Sequence, residues 1–564
     1  MGGVIVIINS TSTPAGIYLR WRNKNNEIIS KTISCDEFQP KFYIKQDATE
    51  MLTCRGRDKH GAFDLKPKFC KTEFTNLEGE PLKEVTWKPA KPQYSRILKN
   101  WFNKHNIDTY EADVPYHFRY AVEEIKEIPE YKMRKWYWDM EWMSEESEYE
   151  GAITCIVRYD NYLDTYKTYW WHPTDWTAAT VREKTLPYAS EKKMLQAFLK
   201  DIIHYDPDML ISWFGWKFDL PKLIKRLLHN KLDAQLLSPC DEVSGVFWDG
   251  KKITMDEKKV NSYSPTFQPI KGRICVPLDE AFERQWLDAQ KGTLPSMALD
   301  YIAETVLGKK KLTSEKFPDK NDFFAKGWLE DTEHYLAYAK VDVELLVELD
   351  DKNHTTDAIL SLQRLLMAPF DACFHATKMA SIYFMRNASW KAPTGKRDVL
   401  RSYDGAMVYD PLSEGTNGLH LGVAAFDFAS LYPSMMIARN ISWETKSDVP
   451  TEFAVNVKTP KDFSEIVEKD MRYFKTDKLG LLPTSLLGLK KLRDEYKQNR
   501  DGAKTPEEYS KWNNNQMAVK RLMASFYGIV GFQGFGWCDI GLAECITASA
   551  REAIREAARL VEEI

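Results

Sequence analysis

At 564 residues the chain is too long for a single core, and at roughly one domain per 150 residues it should hold about four. An apolar fraction of 43% with 28% charged residues is that of an ordinary globular protein and excludes a fibrous or disordered chain. The formal net charge of −4 argues neither for nor against nucleic acid, so any polyanion site has to come from local clustering. Nine cysteines, scattered singly and without a CxxC pair, exclude a disulfide framework or structural zinc site and fit a reducing compartment. No apolar run approaches the roughly 18 residues of a membrane span, so no membrane partner is expected.

MGGVIVIINS opens the chain as a first strand, since it has neither the basic start nor the cleavage site of a signal peptide. Residues 1–130 read as a β-rich domain, with GVIVIIN, GIYLRWR and KFYIKQ separated by polar turns. From 131 to 355 strands alternate with helices, the signature of an α/β unit. RKWYWDMEW and AITCIVRY read as strands, and SEKKMLQAFLKDIIHY as a helix with Ser190 as cap and Met194, Phe198 and Ile202 on one face. Residues 356–395 are helical. A strand ending in LGVAAFDFASLYPSMM follows within 396–479, then two charged helices, TSLLGLKKLRDEYKQNR and PEEYSKWNNNQMAVKRLMASFYG, read as an antiparallel hairpin over 480–530. The last segment, 531–564, carries a helical stripe through Ile546, Ala550, Ala553, Ala557 and Leu560.

In RKWYWDMEW, Asp139 and Glu141 are two apart on a strand, so both carboxylates leave the same face. Such neighbours repel unless cations hold them, which is what a divalent-metal site with hard oxygen ligands requires. An isolated Asp-x-Glu is common by chance, and a solvated edge strand would explain it as well. Two further segments bear on the choice. DPDMLISWFGWKFDLPKL places Asp219 after an apolar strand and a turn, where it opens the next helix, and LAYAKVDVELLVEL places Tyr338 and Asp342 four apart on one helical face.

Asp, Glu, Asp and Asp in this order, with a Tyr one turn before the last, resembles the DEDD-type 3′-5′ exonuclease domain of replicative DNA polymerases, on a ribonuclease-H-like fold. The resemblance implies two-metal hydrolysis: Asp139, Glu141, Asp219 and Asp342 hold two ions, Mg2+ or Mn2+, while Tyr338 orients the attacking water. The family usually has Asn five residues before the second Asp. Here Phe214 stands there, a departure that bears on how the single strand is placed and not on the metal ligands.

AAFDFASLYPSMM resembles motif A of family B DNA polymerases over most of a dozen residues, and KRLMASFYG resembles motif B. By that resemblance Asp427 and the carbonyl of Phe428 bind two catalytic metals, and the amides around Ser430 and Leu431 meet an incoming triphosphate. Tyr432 packs under its sugar. On the helical hairpin, Arg493, Lys497 and Lys520 supply converging cations for the same triphosphate, with Tyr527 nearby. Motif B departs from type at Ala524, where Asn is common. SYDGAMVYDP resembles the YxGG/A motif, so that Tyr403, Gly405 and Ala406, together with Gly528, are expected to touch DNA.

The expected architecture is therefore multidomain α/β and α+β: a β-rich N-terminal domain, the exonuclease domain, a helical return segment at 356–395, a partial palm at 396–479, helical-hairpin fingers at 480–530 and a palm helix at 531–564. The thumb is absent, and nothing matches motif C. The resemblance implies a DNA-directed DNA polymerase with a proofreading exonuclease, acting on DNA primer-template and dNTPs. A small partner subunit carrying motif C and the thumb completes its polymerase site, and a sliding clamp is reached through that subunit. The expected location is the cytoplasm of a prokaryotic or virus-infected cell. A truncated single-chain polymerase and a non-catalytic DNA-binding subunit are the alternatives. Two basic clusters, Lys309 to Lys311 and Lys490, Lys491, Arg493 and Lys497, are expected to meet phosphate.

Overall fold

The computed structural model describes residues 9–563 apart from 14–15, 24, 26, 59–60, 129, 131, 175–185, 265–267, 289–291, 396–401, 408–416, 425, 459–467 and 535. The chain divides into two compact units, Met1–Ser34 with Glu124–His375, and Cys35–Glu123 with Ala376–Ile564. The span 1–130, expected as one domain, is thus shared between them. Strand Gly16–Arg22 is tied to the first unit by charge: Arg20 donates to Asp206 at 3.1 Å, and Arg22 to Asp208 at 2.8 Å. The expected strand at 3–9 lies outside the described residues except for Asn9, where strand Asn9–Thr13 begins.

The first unit is built on a five-stranded sheet in the order Thr165–Trp170, Ile153–Asp160, Lys135–Trp142, Met209–Ser212, Ile274–Pro277. The first three strands are antiparallel, and the last two continue parallel to the third. Alternation along Lys135–Trp142 sends Trp136, Trp138 and Met140 into a core with Met194, Phe198, Ile202, Leu220 and Ile224, from helices Glu191–Tyr205 and Asp219–His229. Ser190 caps the first of these helices, accepting from the Lys193 amide at 3.3 Å. Tyr137, Asp139 and Glu141 face the other way, toward helix Thr332–Asn353, and Tyr137 donates to Asp350 at 2.5 Å. The strand rises about 3.3 Å per residue and the helix about 1.5 Å. Four residues of strand, 137 to 141, therefore span about the same length as eight of helix.

In the second unit a sheet in the order Cys54–Asp58, Gly61–Thr75, Pro81–Lys88, Phe42–Lys45, Thr109–Tyr110 covers helix Ser95–Lys104, with Phe42, Val85, Trp87, Leu98 and Phe102 between them. Helices Leu481–Asp501 and Pro506–Gly531 form the antiparallel hairpin, and helix Ile540–Glu562 packs on Leu431–Ala438. Its stripe is buried at Ile546 and Ala550 but exposed at Leu560. Among the described residues no helix is long and apolar enough to cross a membrane.

One expected element is corrected. The strand that was to deliver Asp427 does not form among the described residues of 417–430: a strand needs a ladder partner, and among the described residues no segment pairs with it. Its described apolar side chains stay in solvent: Leu419 is 91% exposed, Leu421 88% and Phe426 87%.

Trp136 is the centre of the first unit's core, fully buried, with its indole N–H donating to Asp160 at 2.8 Å. Trp136→Ala should cost about 3–5 kcal/mol of that unit's stability, measured as a lowered midpoint of its urea unfolding transition.

Candidate active sites

The carboxylates of Asp139, Glu141 and Asp342 converge, with one oxygen from each lying within 4.8 Å of the others. The strand and helix just described make this happen: Asp139 and Glu141 leave one strand face, and Asp342 faces them two turns before Asp350. Asp219 is the first residue of its helix, buried, and takes a hydrogen bond from Ser212. The turn between them needs Gly215, since a Cβ there would stand 1.9 Å from the Ser212 hydroxyl. Asp219 adjoins the cluster closely enough to raise the Asp139 pKa.

The electrostatics follow from that crowding. Burial, then the charges of Asp219, Asp342 and Glu141, push Asp139 well above the usual carboxylate range. Burial and then Asp342 push Glu141 up to about 8. Asp219 is pushed up to about 7, by burial and then by Asp279. Burial also raises Asp342, against the opposing pull of Lys311.

Lys311 is the functional residue that sequence reasoning misplaced. Its ammonium donates to Asp342 at 2.6 Å and lies 3.4 Å from the Tyr338 hydroxyl, and its own amide is held by Asp300 at 2.9 Å. The expected basic cluster is not a common surface, because its members turn to separate carboxylates: Lys309 pairs with Glu348 at 2.6 Å and Lys310 with Glu304 at 2.8 Å. Tyr338 is buried and packed edge-on against Phe323 at 5.3 Å and Phe324 at 5.7 Å, so its ring is fixed beside Asp342. Asp279, from the GRICVPLDEAF segment, is a fifth carboxyl beside Asp219, pushed up to about 7 by burial. Phe214 lies 6.0 Å from Phe218, whose ring is exposed beside Asp219.

The donor set suits divalent cations. All its ligands are hard carboxylate oxygens on rigid elements, and Asp342 Oδ1 is buried with no hydrogen-bond partner among the described residues. Asp139, Glu141 and Asp342, with Asp219 alongside, are the residues that could hold them. Among the described residues no other group of three such side chains converges this way.

The second constellation lies in the second unit. Asp427 is exposed, as is Phe428. Ser430 takes a left-handed φ of 56° immediately before helix Leu431–Ala438 and makes no side-chain cap, leaving the first helical amides uncapped by it. Tyr432 packs on Tyr527 at 4.7 Å, and the Tyr527 and Tyr403 hydroxyls are 2.9 Å apart, so residues from the three polymerase-like motifs meet. Arg551, which sequence reasoning missed, holds the Tyr403 segment by donating to the carbonyls of Asp404 and Gly405, each at 2.7 Å. Gly405 and Ala406 are exposed, and Gly528 is half-buried on the turn of helix after Tyr527. On the hairpin, Arg493 donates to Gln516 at 3.3 Å, one turn from Lys520, while Lys497 pairs with Asp494 at 3.3 Å.

A two-unit α/β protein with a carboxylate cluster in which Asp139 and Glu141 are half-buried and Asp342 buried, and with a helical hairpin that brings Tyr527 to Tyr403 and Tyr432, is a class that comparison with known proteins narrows. The family description "DNA polymerase family B, exonuclease domain" matches residues 126–264, and "DNA polymerase family B" matches 355–564. The two spans take in more than half of the chain. Similar curated proteins include the DNA polymerase of Pyrococcus glycovorans, 28% identical over 495 residues, covering 84% of this chain and 57% of the relative. The DNA polymerase of Thermococcus sp. (strain 9oN-7) is 27% identical over 552 residues, covering 93% of this chain and 64% of the relative. The chain thus spans about three fifths of the length of these relatives. The fold is that of the family B DNA polymerase of the hyperthermophilic archaeon Pyrobaculum calidifontis, with a TM-score of 0.70 at 16% identity, covering 99% of this chain and 72% of that one. The chain belongs to the family B DNA polymerases and carries an exonuclease domain and a polymerase domain.

Raised carboxyl pKa values set the pH dependence of stability. The unfolded chain ionises Glu141 near its usual 4.5, whereas the folded chain keeps that proton to about 8. Between these values the folded state binds more protons, so metal-free stability should fall as pH rises from about 5 to 8. Thermal unfolding in chelator should show this fall. Mn2+ or Mg2+ should raise the midpoint most at the alkaline end. Asp139→Asn with Glu141→Gln should remove the response to metal and make the fall with pH shallower, the part that remains coming from Asp219 and Asp279, whose raised pKa values rest on burial.

Proposed function

We propose that this chain is the larger part of a replicative DNA polymerase that removes nucleotides from single-stranded 3′ ends with its own exonuclease site. Its polymerase site is completed by a second polypeptide carrying motif C and the thumb. The observation that carries the first half is the convergence of Asp139, Glu141 and Asp342 within 4.8 Å. Asp139, Glu141, Asp219 and Asp342 hold two divalent cations, Mg2+ or Mn2+. When bound, these supply an activated water and neutralise the leaving 3′ oxygen. Tyr338, its proton retained because burial and Asp342 raise its pKa, orients that water by hydrogen bonding. Lys311 neutralises Asp342 while cations are absent and offers a positive charge beside the scissile phosphate.

In the polymerase half, Asp427 and the Phe428 carbonyl contribute metal ligands, and the amides at Ser430 and Leu431 meet the triphosphate of a dNTP. Arg493, Lys497 and Lys520 add charge to that contact, and Tyr432 on Tyr527 forms the floor under the sugar. Tyr403, Gly405, Ala406 and Gly528 meet primer-template DNA. A lone exposed Asp427 cannot neutralise two cations. That shortfall, and the exposed apolar residues Leu419, Leu421, Phe426 and Phe428, support completion by further polypeptide, through which a sliding clamp is reached.

The pure chain should shorten a 5′-labelled single strand from its 3′ end with Mg2+ or Mn2+, and should not extend a primer. Asp139→Ala with Glu141→Ala should abolish shortening, and Tyr338→Phe should lower kcat about tenfold or more with KM little changed. Nuclease activity that survives the double substitution would falsify the site. Robust primer extension by the pure chain would overturn the need for a partner. An uninterrupted reading frame running on through motif C would place the completing segment on the same polypeptide.

A further inference from the structure

The sheet of the second unit has an edge whose chemistry neither constellation uses. Register fixes which side chains share its outer face: Cys54 stands opposite Leu65 and Gly56 opposite Phe63, and these point inward. Arg55 and Arg57 on one strand, and Asp64, Lys66 and Lys68 on the next, therefore point outward, and all five are exposed. Arg55 stands 3.8 Å from Asp64 in a loose, solvent-exposed pair. Arg57, Lys66 and Lys68 make no ion pair or side-chain hydrogen bond among the described residues. Across the next strand, Lys88 lies opposite Lys66 but is engaged by Asp36. The open part of the face thus presents four cations against one carboxylate, in a chain whose net charge is −4.

We infer that this face is a binding surface for the phosphate backbone of single-stranded nucleic acid, built from residues that neither constellation uses. Cations on alternate residues of a strand repeat at about 6.7 Å, which lets successive side chains follow a sugar–phosphate chain. No aromatic ring lies among the five outward residues; the nearby Phe63 points inward, packed on Tyr94 at 4.7 Å. Without a stacking platform the face reads charge and not base identity, so its binding is sequence-independent and strongly salt-dependent. The inference rests on the nucleic-acid reading of the chain and not on its nuclease chemistry.

The test measures binding of the whole chain to a fluorescent dT20 strand in chelator, across a range of NaCl concentrations. Each phosphate contact to a single strand contributes about 0.7 to the slope of log K against log salt. Arg57→Gln, Lys66→Gln and Lys68→Gln combined should make that slope shallower by about 2 and weaken binding about tenfold or more at low salt. Arg57→Lys with Lys66→Arg and Lys68→Arg should keep the parent slope, separating charge from shape. Hydrolysis of a trinucleotide with Mg2+ should be equal in all three chains. If the parent hydrolyses none, the exonuclease reading fails while the binding comparison still stands. An unchanged slope in the Gln variant overturns the inference. So does a variant that keeps the DNA slope but loses binding to polyglutamate, which would assign the face to an acidic protein.

Discussion

Three carboxylates held within 4.8 Å of one another repel, and the exonuclease half of this protein is organised around that repulsion. In water such a cluster would spread. Here Asp139 and Glu141 are fixed by a strand paired on both sides, and Asp342 by a 22-residue helix laid along it. The apolar core behind the strand supplies the rigidity, so the tryptophans that alternate with the acids are part of the site's construction. The charge is balanced in part by Lys311 and in part by retained protons. A cation bound there would displace those protons and recover the electrostatic cost, which would make metal affinity and stability two readings of one quantity.

The second unit is organised differently. Its site is assembled from segments distant in sequence by contacts of aromatic rings and hydroxyls, Tyr432 on Tyr527 and Tyr527 to Tyr403, with Arg551 clamping the Tyr403 segment from the last helix. Among the described residues no carboxylate cluster holds it together, and Asp427 stands in solvent. The contrast explains why, among the described residues, only the first unit holds a carboxylate cluster: converging carboxylates need burial and counter-charge, and Asp427 is exposed.

Much of this was legible in the chain itself. The alternation of RKWYWDMEW marks a strand with two acids on one face, and the four-residue step from Tyr338 to Asp342 marks one face of a helix. The resemblance to two polymerase motifs reads directly from SLYPS and KRLMASFYG. Less legible was Lys311. In sequence it is the third of three lysines and looks like a phosphate-binding cluster, yet the backbone turns each to its own carboxylate, and of the three only Lys311 reaches the carboxylate cluster. The strand read in LGVAAFDF does not form among the described residues for a related reason: its apolar character is real, but a strand exists only with a neighbour to pair with.

What the sequence determined by itself was local: which residues lie on one face of an element, where helices begin, and which motifs are present. Periodicity and capping act over a few residues, so they survive without knowledge of the fold. The tertiary structure decided which of those faces meet. It set Asp139 and Glu141 against Asp342, 201 positions on in the numbering; it divided the first 130 residues between two units through Arg20, Arg22 and their aspartates; and it turned five outward residues of an edge sheet into one basic surface. Each of these depends on strand register or on charge pairing across long sequence separations, which no local pattern encodes.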